Sequence, residues 1–579
     1  MSLTSALNIA TSGMRATQTA ISVTSSNIAN ADVDGYTRKS VTSQTVVVSG
    51  VSSGVSLSEV QRQVDAGLER RTNAARSQSG SAEVLADYLS QLSNAMGSTT
   101  GDDTIASAIT DLATSLQSLS LAPDGASEAQ LVVSDIEDLV DRANSLTGSI
   151  QDLRGDADKA IGDSVDAVNA SLQRLDDLNE QVQRAQASGV STADLVDKQM
   201  QEVAILSTQL SVTYFTDSTG AMSIYGPGGT ILLDDTVHEL DFTAAASVDS
   251  TSSYSASGTL SGITVGGKDL TSFINSGTIG GLLDIRDEVL PAQQAIVDAL
   301  TDSVMTALNE AQNGGTSLPP PSSLTSSGTV DGSQALDGSG TLRIAVLDDV
   351  GVVQSFTDLD LSSYATIDDL VAAIDGMAGL TAGIDADGKL SIVSEDSSLG
   401  IGLAQVSGGI GTDVVSASAA LGLNDLVSKS SSGHLTLRGD VAADPSLLAR
   451  GTLSVESGLA AGDTGIASGD ISTLTALIAG FTGTQSFAAT GGLSAVDTTL
   501  AGYAGELISH VAVLGSEADA TSAIKASALS NLASSLANGS GVNLDEEAAE
   551  LEILQTNYQA AANVISVIQE MYDVLLNMV

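Results

Sequence analysis

Cysteine and tryptophan are absent from the 579 residues, and proline occurs only seven times. Without thiols there is no disulfide framework, no cysteine-ligated zinc and no thiol nucleophile, so stability has to come from packing. A chain bound for an oxidising exterior gains from having nothing to cross-link, although many cytosolic proteins share this lack. Basic residues are scarce too: 21 Lys and Arg face 71 Asp and Glu, a net charge of −50. A surface that acidic repels phosphate backbones and anionic headgroups, which argues against nucleic acid or membrane partners. No run of about 20 uninterrupted apolar residues occurs, so no membrane span is expected. The opening MSLTSALNIATSGMR has neither a basic region nor a continuous apolar one. Export would therefore use neither an ordinary signal peptide nor a membrane anchor.

What is present reads as a folded, multidomain chain. Apolar residues make up 42% and charged residues 16%, unlike a disordered acidic tail, and the length exceeds one ordinary core. Leu3, Leu7, Ala10, Met14, Thr17, Ile21, Thr24 and Ile28 step by four and three, the spacing of a helix seam. The seam is thin, because Ala10, Thr17 and Thr24 bury little area. The helix should stop near Asn30, before the turn formers Asp32, Asp34 and Gly35. At the other end Leu551, Leu554, Tyr558, Ala561, Ile565, Ile568, Tyr572, Leu575 and Val579 form a second, unbroken seam. Asn543 is its expected N-cap, with Glu546 three residues on as in a capping box. Each stripe must be buried against something, and the two are expected to form a coiled coil that is completed on assembly. The interface would comprise Leu3, Leu7, Met14, Ile21 and Ile28 with Leu551, Leu554, Tyr558, Ile565, Ile568, Tyr572 and Leu575.

Between the ends, a seam from Val132 to Leu175 predicts a rod-like helix from about Glu128 to Ala187. Shorter helices are predicted over Ser81 to Met96, after Pro291, and from Leu500 to Ala518. From about Val212 to Gly280, Thr, Ser, Gly and alternating apolar residues suggest short strands. GGTSLPPPSSLTSSG, Gly314 to Gly328, reads as a linker. Beyond it, TLRIAVLDD and GKLSIVSED read as strands, the second entered through an Asp387-Gly388 turn, with SSYATIDDLVAAIDGM a capped helix between them. The expected fold class is multidomain: an α-helical coiled-coil terminal domain and a long-helix bundle domain, both built from the two chain ends, with β-rich, mixed α/β outer domains inserted. In numbers, the terminal domain takes 1–58 and 540–579. The helical domain takes 59–211, 281–315 and 491–539, and the inserts take 212–280 and 325–490.

The segment SSNIANADVDGYTRKSV resembles the signature of the flagellar rod, hook and hook-associated axial proteins. The residues that carry the likeness are Asn27, Ile28, Ala29, Asn30, Gly35, Tyr36, Thr37 and Arg38. The last forty residues are similar to the C-terminal motif of that superfamily. DLVDKQMQEVAILSTQLSV and GTIGGLLDIRDEVLPAQQAIVDAL resemble segments of its hook-associated members, with Lys198 and Gln199 standing where those members commonly have Arg-Asp. Thr341 to Ser394 resembles a small module of flagellins and their cap proteins. The resemblance implies a structural subunit of the flagellum that polymerises on the distal hook end and joins hook to filament. It implies as partners copies of itself, the hook protein, a second junction protein, and an export chaperone with the export apparatus. It implies an extracellular location on the bacterial flagellum, reached without a cleaved signal peptide.

No residue pattern points to catalysis. His238, His434 and His510 are scattered and lack any nucleophile or metal-ligand context. Asp385, Asp387 and Asp396 resemble part of a calcium loop, but Leu390 and Ile392 alternate as in a hairpin strand, so no metal is expected. The glycine-rich GGIGTD at Gly408 lacks a strand-helix frame and a phosphate-binding lysine, so no cofactor is expected. Within the flagellar class a large hook subunit is the alternative. A secreted acidic adhesin would need tandem calcium-binding nonapeptides, and none occurs. An enzyme would need a catalytic constellation that is missing.

Overall fold

The computed structural model describes residues 3–48, 50–98, 101–255 and 258–577. Helix α1 (Leu3–Ala29) is followed by short strands between Lys39 and Arg62, and then by α2 (Ala66–Met96), α3 (Ile105–Leu121), α4 (Ala126–Ala187) and α5 (Ala193–Gln209). After a stretch of short strands come α6 (Gly277–Asp284) and α7 (Leu290–Gly314). Further along lie α8 (Ile367–Asp375) and the short α9 (Ala417–Ala420) and α10 (Gly439–Ala443). Then α11 (Ser472–Thr482), α12 (Leu500–Ser540) and α13 (Leu544–Asn577) bring the chain back to its start. The architecture is multidomain, with long helices from both chain ends and β-containing insertions between them.

The organising element is α4, 62 residues long and so ~93 Å at 1.5 Å per residue. Its seam is buried from Val132 through Ile150 and Ile161 to Leu175, as the spacing predicts. Around it pack α3, α5, α6 and α7, with α11 and α12 closing the same core. Arg286 and Asp287, Gly280 and Gly281 of the GGLLDIRD segment have structural reasons. A Cβ at Gly281 would lie 2.7 Å from the Ser81 carbonyl, so glycine lets α6 approach α2. Helix α2 begins 15 residues before the predicted Ser81. Its first turns bury Glu69, Thr72, Asn73 and Ser77 rather than apolar residues, which hides the period, and Asp65 caps the start by accepting from the Gly67 and Leu68 amides.

Short strands are fastened to the helices by one repeated device. Asn179 accepts from the Met222 amide at 2.8 Å and donates to the Met222 carbonyl at 2.9 Å. Asn169 does the same with Leu240, Asn144 with Leu435 and Asn309 with Val427. Each carboxamide thus stands in for a neighbouring strand and satisfies both backbone groups of one residue.

The segment from Gly314 to Gly328 is not a solvated linker. Thr316, Ser317, Pro320 and Pro321 are buried, the Thr316 amide donates to the Gly451 carbonyl at 2.8 Å, and Ser323–Thr325 is a strand paired with Leu390–Ser394. Proline and serine there trace a fixed path between two cores. The outer module has its own core around Leu342, Ile344, Leu370, Ile392 and Leu403. Its predicted pieces form: Thr366 caps α8 in a reciprocal box with Asp369, and Leu380–Ile384 pairs with Leu390–Ser394 through a turn in which Gly388 has φ 76°. Leu453 and Ile466 cover the other face of its three-stranded sheet. Part of the stretch 325–490 belongs elsewhere: Leu426, Leu435, Val441, Leu477, Phe481 and Phe487 join the core around α4.

Arg286 is the largest fully buried side chain. It pairs with Asp158 at 2.7 Å and holds Asp287 through two hydrogen bonds of 2.7 and 2.8 Å. Arg154 beside it donates to three backbone carbonyls, of Arg286, Asp249 and Ser252. Replacing Arg286 by Ala strands the buried Asp158 carboxylate, and is expected to destabilise this core by about 3–5 kcal/mol. Urea unfolding of the variant against the parent chain measures it.

Candidate assembly interface

Helices α1 and α13 pack antiparallel, with Thr4 hydrogen-bonded to Tyr572 at one end and Asn27 to Glu547 at the other. The seams found in the sequence face each other, but burial along them is shallow. Leu3, Leu7, Met14, Ile21 and Ile28 are half-buried, as are Leu551, Ile565 and Tyr572. On α13 the buried apolar residues are Leu554 and Ile568, while Tyr558 and Leu575 stay exposed. Val579 lies outside the described residues. The start of α13 is as predicted, with Asn543 accepting from the Asp545 and Glu546 amides.

Where this hairpin meets the helical body, the residues of the SSNIANADVDGYTRKSV segment form a polar clasp. Asn27 is buried, donating to the Lys39 carbonyl and to Glu547 at 2.9 Å each, and accepting from the Lys39 amide and the Tyr36 hydroxyl at 3.0 Å each. Arg38 binds the other Glu547 oxygen at 2.7 Å. Gly35 adopts φ 74°, and Gln201 lies so close that a Cβ would meet its Nε2 at 2.4 Å. Asn30 donates to the Ser26 carbonyl and finishes α1. Ile28 is half-buried against the hairpin, and Ala29 is exposed.

The second half of the clasp was not visible in the sequence. Asp197 accepts from the Thr37 hydroxyl and from Arg62 at 2.6 Å each, and from Lys39 at 3.1 Å. Lys39 also pairs with Asp194 and lies over the Tyr36 ring, 3.5 Å from its centroid. Burial works against its charge, but Asp194 and Asp197 more than offset this, and its pKa is raised. Arg62 reaches Glu69 at 3.1 Å, and Glu69 accepts from the Tyr214 hydroxyl. Burial, with Glu69 alongside, pushes that phenol up to about 12. Asp194 and Asp197 sit in the DLVDKQM segment, where Gln199 is buried and donates to Asn179 while Lys198 is exposed. A cavity of about 500 Å³ opens beside the clasp, between Val33, Arg76, Met200 and Leu536.

Every carboxylate in the clasp is matched by a cation or a hydroxyl, an arrangement that fastens elements rather than activating a nucleophile. Among the described residues no group of three or more His, Asp and Glu could hold a metal ion, and no helix is long and apolar enough to cross a membrane.

Comparison with known proteins matches three families: the flagellar hook-associated protein FlgK helical domain over residues 89–321, the flagella basal body rod protein over 7–37, and the flagellar basal body rod FlgEFG protein C-terminal region over 534–578. Flagellar hook-associated protein 1 of Salmonella typhimurium is 25% identical over 589 residues, covering 99% of this chain and 100% of that protein. The protein of the same name from Escherichia coli is 27% identical over 322 residues, 54% of this chain and 58% of that protein. Among solved structures, the flagellar hook junction protein FlgK from Burkholderia pseudomallei is 18% identical with a TM-score of 0.48, covering 80% of this chain and 99% of that one.

Asn27→Asp keeps the shape but removes both amide donations and sets a carboxylate against Glu547. It is expected to weaken the clasp by about 3 kcal/mol, seen as faster amide exchange at Lys39 and in the first turn of α13 with α4 unchanged.

Proposed function

Because the chain belongs to the flagellar hook-associated protein 1 family and is a structural component of the bacterial flagellum, we propose that its terminal hairpin polymerises with other copies on the distal hook. There it forms the junction between hook and filament. One observation carries this reading. On a flank of α13, about 100° around the helix from the seam that faces α1, Ile553, Val564, Val567, Met571 and Val574 form a second stripe, each at least 49% exposed. From Ala560 to Val574 the steps are four and three, so this face is apolar over about four turns, and no described residue covers it. Two shallow seams and an open stripe suit a helix pair that is completed by its neighbours. Contacts between copies that repeat by a screw build a tube rather than a closed dimer.

The interface residues Leu3, Leu7, Met14, Ile21 and Ile28, with Leu551, Leu554, Tyr558, Ile565, Ile568, Tyr572 and Leu575, act as the first layer, holding α1 to α13. The exposed stripe is the second layer, between copies. The hook protein lies below and a second junction protein above. The chain travels out through the flagellar export apparatus with a chaperone, and its place is extracellular. Its role is structural rather than catalytic.

Val567→Asp leaves the hairpin intact but places a charge in the stripe, and cells carrying it should show bare hooks and flagellin in the medium. Ordinary filaments in electron micrographs of that strain refute the proposal. In the free monomer the amides of Leu3 to Ile28 should exchange fast, and in the polymer slowly, because so little of α1 is buried before assembly. Equal protection in both states would contradict completion by neighbours.

A further inference from the structure

Copies of a chain with a net charge of −50 repel one another, so packing side by side calls for local attraction at the contact. Most cations are engaged within the fold: Arg62 holds Asp197 and Glu69, Arg343 holds Asp358, and Lys429 holds Asp298 and Asp302. Arg70 and Arg71, near the start of α2, are both exposed, and neither makes an ion pair or a side-chain hydrogen bond with any described residue.

The open stripe of α13 continues upstream into charge. Glu550 lies three residues before Ile553 and Glu546 four before that, so both glutamates stand on the same helix face as the exposed valines. Glu550 is exposed and without a partner among the described residues, and Glu546, also exposed, has a 3.5 Å contact with Arg38 and accepts from the Asn543 side-chain amide at 3.4 Å. The two charge groups lie at the same level of the molecule. The loop Thr37 to Lys39 reaches the first turn of α13 through Arg38 and Glu547. It reaches the first turn of α2 through Thr37, Asp197, Arg62 and Glu69, the residue next to Arg70. Within one chain no ion pair joins them, yet neighbours set at similar heights would bring them together.

We propose that Arg70 and Arg71 of one copy receive Glu550 and Glu546 of the next, and that this charged contact fixes the register of the apolar stripe. A stripe of valines spaced by turns fits its partner nearly as well after a slip of one turn, whereas a charge pair at its head does not, the role that flanking charges play in coiled coils. The inference rests on the reading that copies polymerise through this hairpin.

The test uses full-length chain expressed in cells that lack their own copy, with filament-bearing hooks counted by electron microscopy. R70E/R71E and E550R should each lower the count more than about tenfold, since like charges then meet at every contact. The triple variant R70E/R71E/E550R should restore most of it. Thermal melting of the purified chains and the amounts exported should match the parent in all three. Parental counts in R70E/R71E or E550R, or a triple variant no better than either, overturn the proposal. Normal assembly of Val567→Asp would instead remove the polymerisation reading beneath it, so the two failures are distinguishable.

Discussion

A carboxamide on a helix that satisfies both backbone groups of a single extended residue is the joint on which this structure depends. It occurs between Asn27 and Lys39, Asn169 and Leu240, Asn179 and Met222, Asn144 and Leu435, and Asn309 and Val427. Strands of two to four residues cannot hold their own edges, and the sheets beside α4 are built from such strands. Bound to asparagine, their backbone groups are paired and their apolar side chains are delivered to the helical core. The same joint at Asn27 secures the loop after α1, and through Glu547 it ties in α13. One amide therefore connects residues more than 500 positions apart.

The helical frame gathers the two chain ends, and the outer module hangs from it by a route that crosses between cores several times. Residues 316–423 enter and leave beside Asn313, which accepts from the Ser418 hydroxyl and the Asn424 amide. The chain then returns to α4 and α7 for the hairpin at Val427, goes out again to cover the module's sheet with Leu453 and Ile466, and comes back with α11. The proline run is buried because it is one of these crossings.

Elements with a sustained apolar period were legible in the sequence. The seam from Val132 to Leu175 gave away α4, and the two terminal seams gave away α1 and α13. The first half of α2 was not legible because its inward face is Glu69, Thr72, Asn73 and Ser77, polar residues that leave no apolar period although they are buried. Helix α3 was passed over although Ile109, Leu112, Leu116 and Leu119 are buried on one face, since the serines and threonines between them favour turns. The segments around Leu435 and Leu477 were read as part of the insert because pieces that alternate between two cores carry no period. In the clasp, Asn27, Tyr36 and Arg38 stood out only through resemblance. Their partners Asp194, Asp197, Arg62 and Glu69 are ordinary charged residues until the fold brings them together.

Between the clasp and the body, the chain is a pair of antiparallel helices with little grease between them. From Ser516 to Gly539, α12 has no fully buried side chain, and the facing turns of α2 bury threonine, asparagine, serine and glycine. Along this stretch α12 is held to α2 with little buried apolar area, whereas the clasp at one end is fastened by ion pairs and the body at the other by an apolar core.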